Sequence, residues 1–89
     1  ATDRRQSAAI KLSKEEDMMI VVGGRNSANT TRLAQLCTEH CVTHHIETVD
    51  ELHNDWFNNI KKIGITAGAS TPDWIIKEVY EKCKTWQAY

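Results

Sequence analysis

Two short stretches combine residue types that can hold an anion without supplying a full counter-charge: Gly23-Gly24-Arg25-Asn26-Ser27-Ala28-Asn29-Thr30 and Thr66-Ala67-Gly68-Ala69-Ser70-Thr71-Pro72. Gly23, Gly24 and Gly68 let the backbone come close to a ligand. Ser27, Asn29 and Ser70, with Asn26, Thr30 and Thr71 beside them, offer short neutral hydrogen-bonding side chains. Such donors suit a phosphate ester that must bind and also leave. Arg25 either adds Coulombic attraction or points into water. A single loop of this composition reads equally well as ordinary helix capping. Two of them, each between an apolar run and a helix, point to one convergent site. The sequence contains neither G-x-G-x-x-G nor G-x-x-x-x-G-K-[ST], so dinucleotide and P-loop nucleotide binding find no support and a smaller phosphate ester fits better.

Loops of this kind need strands that end where they begin. Met18-Met19-Ile20-Val21-Val22 is an apolar run that stops at Gly23-Gly24, as a buried strand does. Val42 to Glu47 is a weaker strand candidate, and Ile63-Gly64-Ile65 leads into Thr66 as a third strand. Between them, Arg4 to Lys14 places Ala8, Ala9 and Leu12 on one helical face. From Asn29 or Thr30 to about His40, the residues Leu33, Leu36, Cys37 and His40 recur at helical spacing. Asp50 to Asn59, with Leu52, Trp56 and Phe57, reads as a short helix or turn. After Pro72, which suits a first helical turn, Ile75, Ile76, Val79, Tyr80 and Cys83 form an amphipathic stripe.

This alternation predicts a single α/β domain over residues 1–89, a small doubly wound parallel sheet of about three or four strands with helices on both faces. In open sheets of this class, ligands bind beyond the carboxyl ends of strands whose crossovers diverge. If the first and third strands are neighbours, both loops line that crevice. Each then delivers unpaired N–H groups and the positive end of a helix dipole to the same place.

Bulk properties remove several function classes. Eleven Lys and Arg against twelve Asp and Glu give a net charge of −1, so there is no bulk electrostatic case for nucleic acid or an anionic membrane. The longest apolar run, Met18 to Val22, is far too short to span a bilayer, and nothing near the N-terminus resembles a signal peptide. Cys37, Cys41 and Cys83 form no recognisable disulfide framework, which fits a reducing compartment and a soluble cytoplasmic protein. The chain starts at Ala1 in what already reads as helix, so it is expected to begin inside a longer polypeptide.

Cys37, His40, Cys41, His44 and His45 crowd nine positions and are natural zinc ligands. Cys37 and Cys41 nevertheless share the helical stripe of Leu33, where free Cys behaves as a small buried hydrophobe, so core packing is the better reading. Trp56, Trp74 and Trp86 read as core or domain-interface residues, and Lys61-Lys62 as a solvated pair before a strand.

At the two loops the sequence resembles the LytB/IspH family of hydroxymethylbutenyl diphosphate reductases of the non-mevalonate isoprenoid pathway. The resemblance covers nearly the whole chain. It starts at Ala1-Thr2 and Arg5-Gln6, similar to the end of a C-x-A-T-x-x-R-Q segment, and continues through Val21-Val22-Gly23-Gly24, Asn26-Ser27 and Asn29-Thr30. It closes with Gly64-Ile65-Thr66-Ala67-Gly68-Ala69-Ser70-Thr71-Pro72, its most specific part.

The resemblance implies that this is the C-terminal domain of a three-domain enzyme. That enzyme would be built around a 4Fe–4S cluster held by three cysteines, and would be served by an electron-donor protein such as ferredoxin or flavodoxin. It implies diphosphate contacts from Ser27, Asn29 and Ser70, with Asn26, Thr30 and Thr71 as further candidates. A second hydroxyl common in the family is replaced here by Ala28, where a backbone N–H would serve. The cluster cysteines and the acid glutamate would lie before Ala1, so no catalytic or metal residue is expected within the segment, which should bind the substrate without reducing it. Thr2, Arg5 and Gln6 would either reach the cluster cavity or cap a helix. The alternative is a free-standing or fused phosphate-ester-binding module without redox activity.

Overall fold

The computed structural model describes residues 2–87, with side chains described for residues 6–85. Helix α1 (Thr2–Glu15) leads into β1 (Met18–Val22), α2 (Ala28–Thr38), β2 (Val42–Ile46), two 3-10 turns (Val49–Glu51 and Asn54–Phe57), β3 (Ile63–Ala67) and α3 (Asp73–Gln87). The strands form one parallel sheet in the order β2-β1-β3. The apolar run Met18 to Val22 becomes the central strand because only there are both faces covered and both edges paired. All five of its residues are fully buried.

The period-two alternation of β1 divides the interior into two cores. Met18, Ile20 and Val22 face α3 and the 3-10 turns, together with Ile46, Leu52, Phe57, Ala67, Val79 and Cys83. Met19 and Val21 face α1 and α2, with Ala9, Leu33 and Cys37. Helices therefore cover both faces, as the sequence predicts, and the sheet has three strands.

Some expectations shift in detail. In α1, Ala9 is buried and Leu12 partly so, but Ala8 is exposed; the helix instead buries Ser13, whose hydroxyl donates to the Ile10 carbonyl at 2.7 Å. In α3, Tyr80 of the predicted stripe is half-exposed, while Val79 and Cys83 lie in the core. The expected helix or turn at Asp50 to Asn59 is two 3-10 turns. Pro72 sits just before α3, its carbonyl accepting from the Ile75 and Ile76 N–H groups, and so acts as the capping residue rather than within the first turn. The side chains of Thr2, Arg5 and Trp86 lie outside the described residues.

Candidate functional site

Pairing of β1 with β3 puts Val22 opposite Ala67, so the two loops leave the sheet side by side from adjacent strand ends. Backbone bonds fix their starts: Gly23 N–H donates to the Ile46 carbonyl at 2.9 Å, and Gly68 N–H donates to the Val22 carbonyl at 3.0 Å. The Thr71 hydroxyl also donates to Val22 O at 3.0 Å, latching the second loop onto the end of β1. His45, on β2, reaches across with Nε2 2.9 Å from Gly23 O. A carbonyl only accepts, so that nitrogen carries the hydrogen.

The first loop ends in a cap. Ser27 takes an extended conformation, and its Oγ accepts from Thr30 N–H at 3.3 Å and from the Thr30 hydroxyl at 3.1 Å. Thr30 has no solvent exposure. It lies between the two loops, so close to both that neither Gly23 nor Gly68 could carry a side chain. A Cβ on Gly23, whose φ is +156°, would stand 2.7 Å from Thr30 Cγ2 and Oγ1, and one on Gly68 would overlap Thr30 Oγ1. Glycine is required at these two positions by close approach.

The six candidate residues thus fall into two groups. Asn26, Asn29 and Ser70 are exposed at the rim, with no side-chain hydrogen bond among the described residues, and Ser27 is half-buried beside them. Thr30 and Thr71 point inward, with their hydroxyl hydrogens engaged on Ser27 Oγ and Val22 O. The Ala28 and Asn29 N–H groups at the start of α2 have no acceptor among the described residues, which fits a backbone donor at Ala28.

Arg25 is exposed to water and is also paired with two carboxylates. Its guanidinium bonds Glu47 Oε1 at 2.9 Å through one terminal nitrogen and Glu51 Oε1 through the other, while its backbone N–H donates to Glu47 Oε2 at 3.1 Å. Glu51 Oε2 also accepts the Glu47 and Thr48 N–H groups, at 2.8 and 3.3 Å. The bond from Arg25 holds the Glu51 carboxyl below the ordinary glutamate range. Two carboxylates therefore neutralise the only cationic side chain of either loop. What the two loops leave for an anion is neutral donors and helix dipoles.

Sequence reasoning missed His45, Glu47 and Glu51 as shapers of the first loop. The Thr48-x-x-Glu51 spacing is a capping-box pattern and would have flagged Glu51. Nothing local marks His45 or Glu47, because their partners lie 22 residues away.

Cysteine placement does not fit an iron–sulfur cluster at this site. Cys37 is buried among the residues between α1 and α2, with Sγ 3.8 Å from Ala9 O, and Cys83 is buried on the opposite face of the sheet. Cys41 precedes β2, at the end of the sheet remote from the loops. Burial pushes the Cys83 thiol up to about 11, and burial also raises Cys37, whereas cluster ligands must be thiolates. Among the tryptophans, Trp56 stacks on His44 with ring centroids 3.8 Å apart, and Trp74 is exposed, which excludes the core reading for it but not the domain-interface one. Among the described residues no helix is long and apolar enough to cross a membrane.

The family model described as LytB protein matches residues 1–84. The 4-hydroxy-3-methylbut-2-enyl diphosphate reductase of Syntrophotalea carbinolica is 55% identical over 83 residues, covering 92% of this chain and 30% of the relative. That of Clostridium perfringens is 53% identical over 87 residues, covering 94% and 31%. A solved structure of (E)-4-hydroxy-3-methyl-but-2-enyl diphosphate reductase, titled the terminal enzyme of the non-mevalonate pathway, superposes with a TM-score of 0.92 at 48% identity, covering 94% of this chain and 30% of that one. The Plasmodium falciparum reductase superposes with a TM-score of 0.88 at 30% identity, over 92% and 26%. The chain spans about 30% of the length of the curated relatives it matches. With the strand order, the two loops and the matched residues in agreement, the chain belongs to the LytB family.

Proposed function

We propose that this chain is the diphosphate-binding C-terminal domain of a three-domain, cytoplasmic 4-hydroxy-3-methylbut-2-enyl diphosphate reductase. The whole enzyme would remove the substrate hydroxyl reductively to give isopentenyl and dimethylallyl diphosphate. The observation that carries this reading is the β1–β3 pairing, which sets Ser27, Asn29 and Ser70 around two helix N-termini that open side by side. Such a rim holds a diphosphate through neutral donors and backbone N–H groups, with Asn26 as a further donor. The names of the relatives supply the allylic substrate.

Reductive loss of a hydroxyl needs two electrons, the kind of chemistry a metal cluster supplies. The 4Fe–4S cluster, its three cysteines and the electron-donor protein belong, in this proposal, to parts of the enzyme outside these residues. This chain contributes binding and orientation: it holds the diphosphate end fixed, so that the reacting carbon is presented elsewhere.

In the intact polypeptide, Asn29→Ala and Ser70→Ala should each weaken inorganic pyrophosphate binding by about 1–3 kcal/mol, measured calorimetrically. Unchanged affinity in both variants would remove the assignment. The placement of the three cysteines is also what a phosphate-ester-binding module without redox activity would have. Iron analysis of the intact polypeptide separates the two, since the module would carry no stoichiometric iron.

A further inference from the structure

We infer that Thr30 is a positioning residue that sets the direction of the Ser27 hydroxyl and the spacing of the two loops, without touching the bound anion. This rests on the diphosphate reading above and deepens it.

A serine hydroxyl has two acceptor lone pairs and one hydrogen. At Ser27 both acceptor directions are taken by one residue, through the Thr30 N–H at 3.3 Å and the Thr30 hydroxyl at 3.1 Å. Ser27 Oγ donates to no acceptor among the described residues, and with both lone pairs held by Thr30 its hydrogen points away from Thr30. A capping serine that accepts only a backbone N–H keeps one lone pair free, and its hydroxyl hydrogen can then take more than one orientation. Here Thr30 removes that choice, and Ser27 becomes an oriented donor, as pre-organised anion binding requires.

The other half of the role is steric. Thr30 has no solvent exposure and no ligand can reach its hydroxyl. Its methyl and hydroxyl fill the space between Gly23 and Gly68, the first residue of each loop. The width of this one side chain therefore sets how far apart the loops stand. The fold gains packing from the methyl, and the site gains orientation from the hydroxyl.

Two conservative variants separate these contributions. Thr30→Val keeps the shape and removes the hydroxyl; Thr30→Ser keeps the hydroxyl and removes the methyl. In the intact polypeptide, Thr30→Val should retain most of its thermal stability yet bind inorganic pyrophosphate about 3- to 10-fold more weakly, because Ser27 keeps its hydroxyl and loses only the partner that orients it. Thr30→Ser should show the opposite pattern, with a lower melting temperature and pyrophosphate affinity within about 3-fold of the parent. Ser27→Ala should cost less on top of Thr30→Val than it costs alone, because the two act as one unit.

Unchanged or tighter pyrophosphate binding by Thr30→Val, with Ser27→Ala still costly alone, would overturn the inference and mean that Ser27 donates to Thr30. Fully additive losses in the double variant would also overturn it. If Ser27→Ala alone has no effect on pyrophosphate, the diphosphate reading itself fails, which is a distinguishable result.

Discussion

The Thr71 hydroxyl donates to the Val22 carbonyl oxygen at 3.0 Å, tying the turn before α3 to the last residue of the central strand. Val22 O also accepts the Gly68 N–H at the same distance, so one carbonyl anchors the second loop at two points. Thr71→Val would keep the shape and leave that carbonyl with one donor. The expected cost is about 0.5–1.5 kcal/mol of stability, measured by urea unfolding. A larger loss would mean that the loop depends on this single bond.

Gly68 and Gly24 form a matched pair for testing close approach. A Cβ at Gly68 meets Thr30 Oγ1 inside contact distance, while a Cβ at Gly24 meets only Glu47 Oε2, at 3.7 Å. Gly68→Ala should therefore destabilise by about 1–3 kcal/mol through overpacking, and Gly24→Ala should stay within about 0.5 kcal/mol. Equal unfolding midpoints for the two variants would contradict the wedge of Thr30 between the loops.

Acid should weaken the first loop through Glu51. The bond from Arg25, the largest cause, lowers the carboxyl pKa in the folded state. A group with a depressed folded pKa contributes stability that is present above its unfolded value and lost as pH falls through the folded one. Stability measured from pH 7 downward should thus fall more steeply for the parent than for Glu51→Gln, with the difference developing below the ordinary glutamate range. The Arg25–Glu47 pair is exposed on both sides and adds little of its own.

Thiol reactivity should sort the three cysteines. Cys37 and Cys83 are buried, and Cys41 is half-exposed at the turn before β2. In the native protein a maleimide should label Cys41 first, and slowly, because burial raises its pKa too. Cys37 and Cys83 should label only after denaturation. Fast native labelling of Cys83 would show that the α3 side of the core opens readily.

Legibility of the fold followed the strength of the local pattern. The continuous apolar run of β1 and the stripe of α2 carried their own evidence, since burial on both faces or along one stripe dictates residue type every second or every third to fourth position. Tyr80 and Ala8 went astray for the converse reason: an apolar side chain at the margin of a stripe is read as buried, and only the neighbour that does or does not arrive decides. Asp50 to Asn59 was ambiguous because a 3-10 turn has no period long enough to detect.

The amino-acid sequence by itself determined the residue types of the site, the strand-loop-helix order that produces it and, through the loop motifs, the family. Glycine, serine and proline act locally, through φ, capping and missing donors, and local constraints are written in consecutive residues. Tertiary structure alone decided what each side chain does. It turned Arg25 from a candidate anion partner into the counter-ion of Glu47 and Glu51, brought His45 onto the Gly23 carbonyl, and buried Thr30 between two glycines 45 positions apart. Those roles depend on which strands pair and how far apart the loops are held, and such distances arise only when the sheet is assembled.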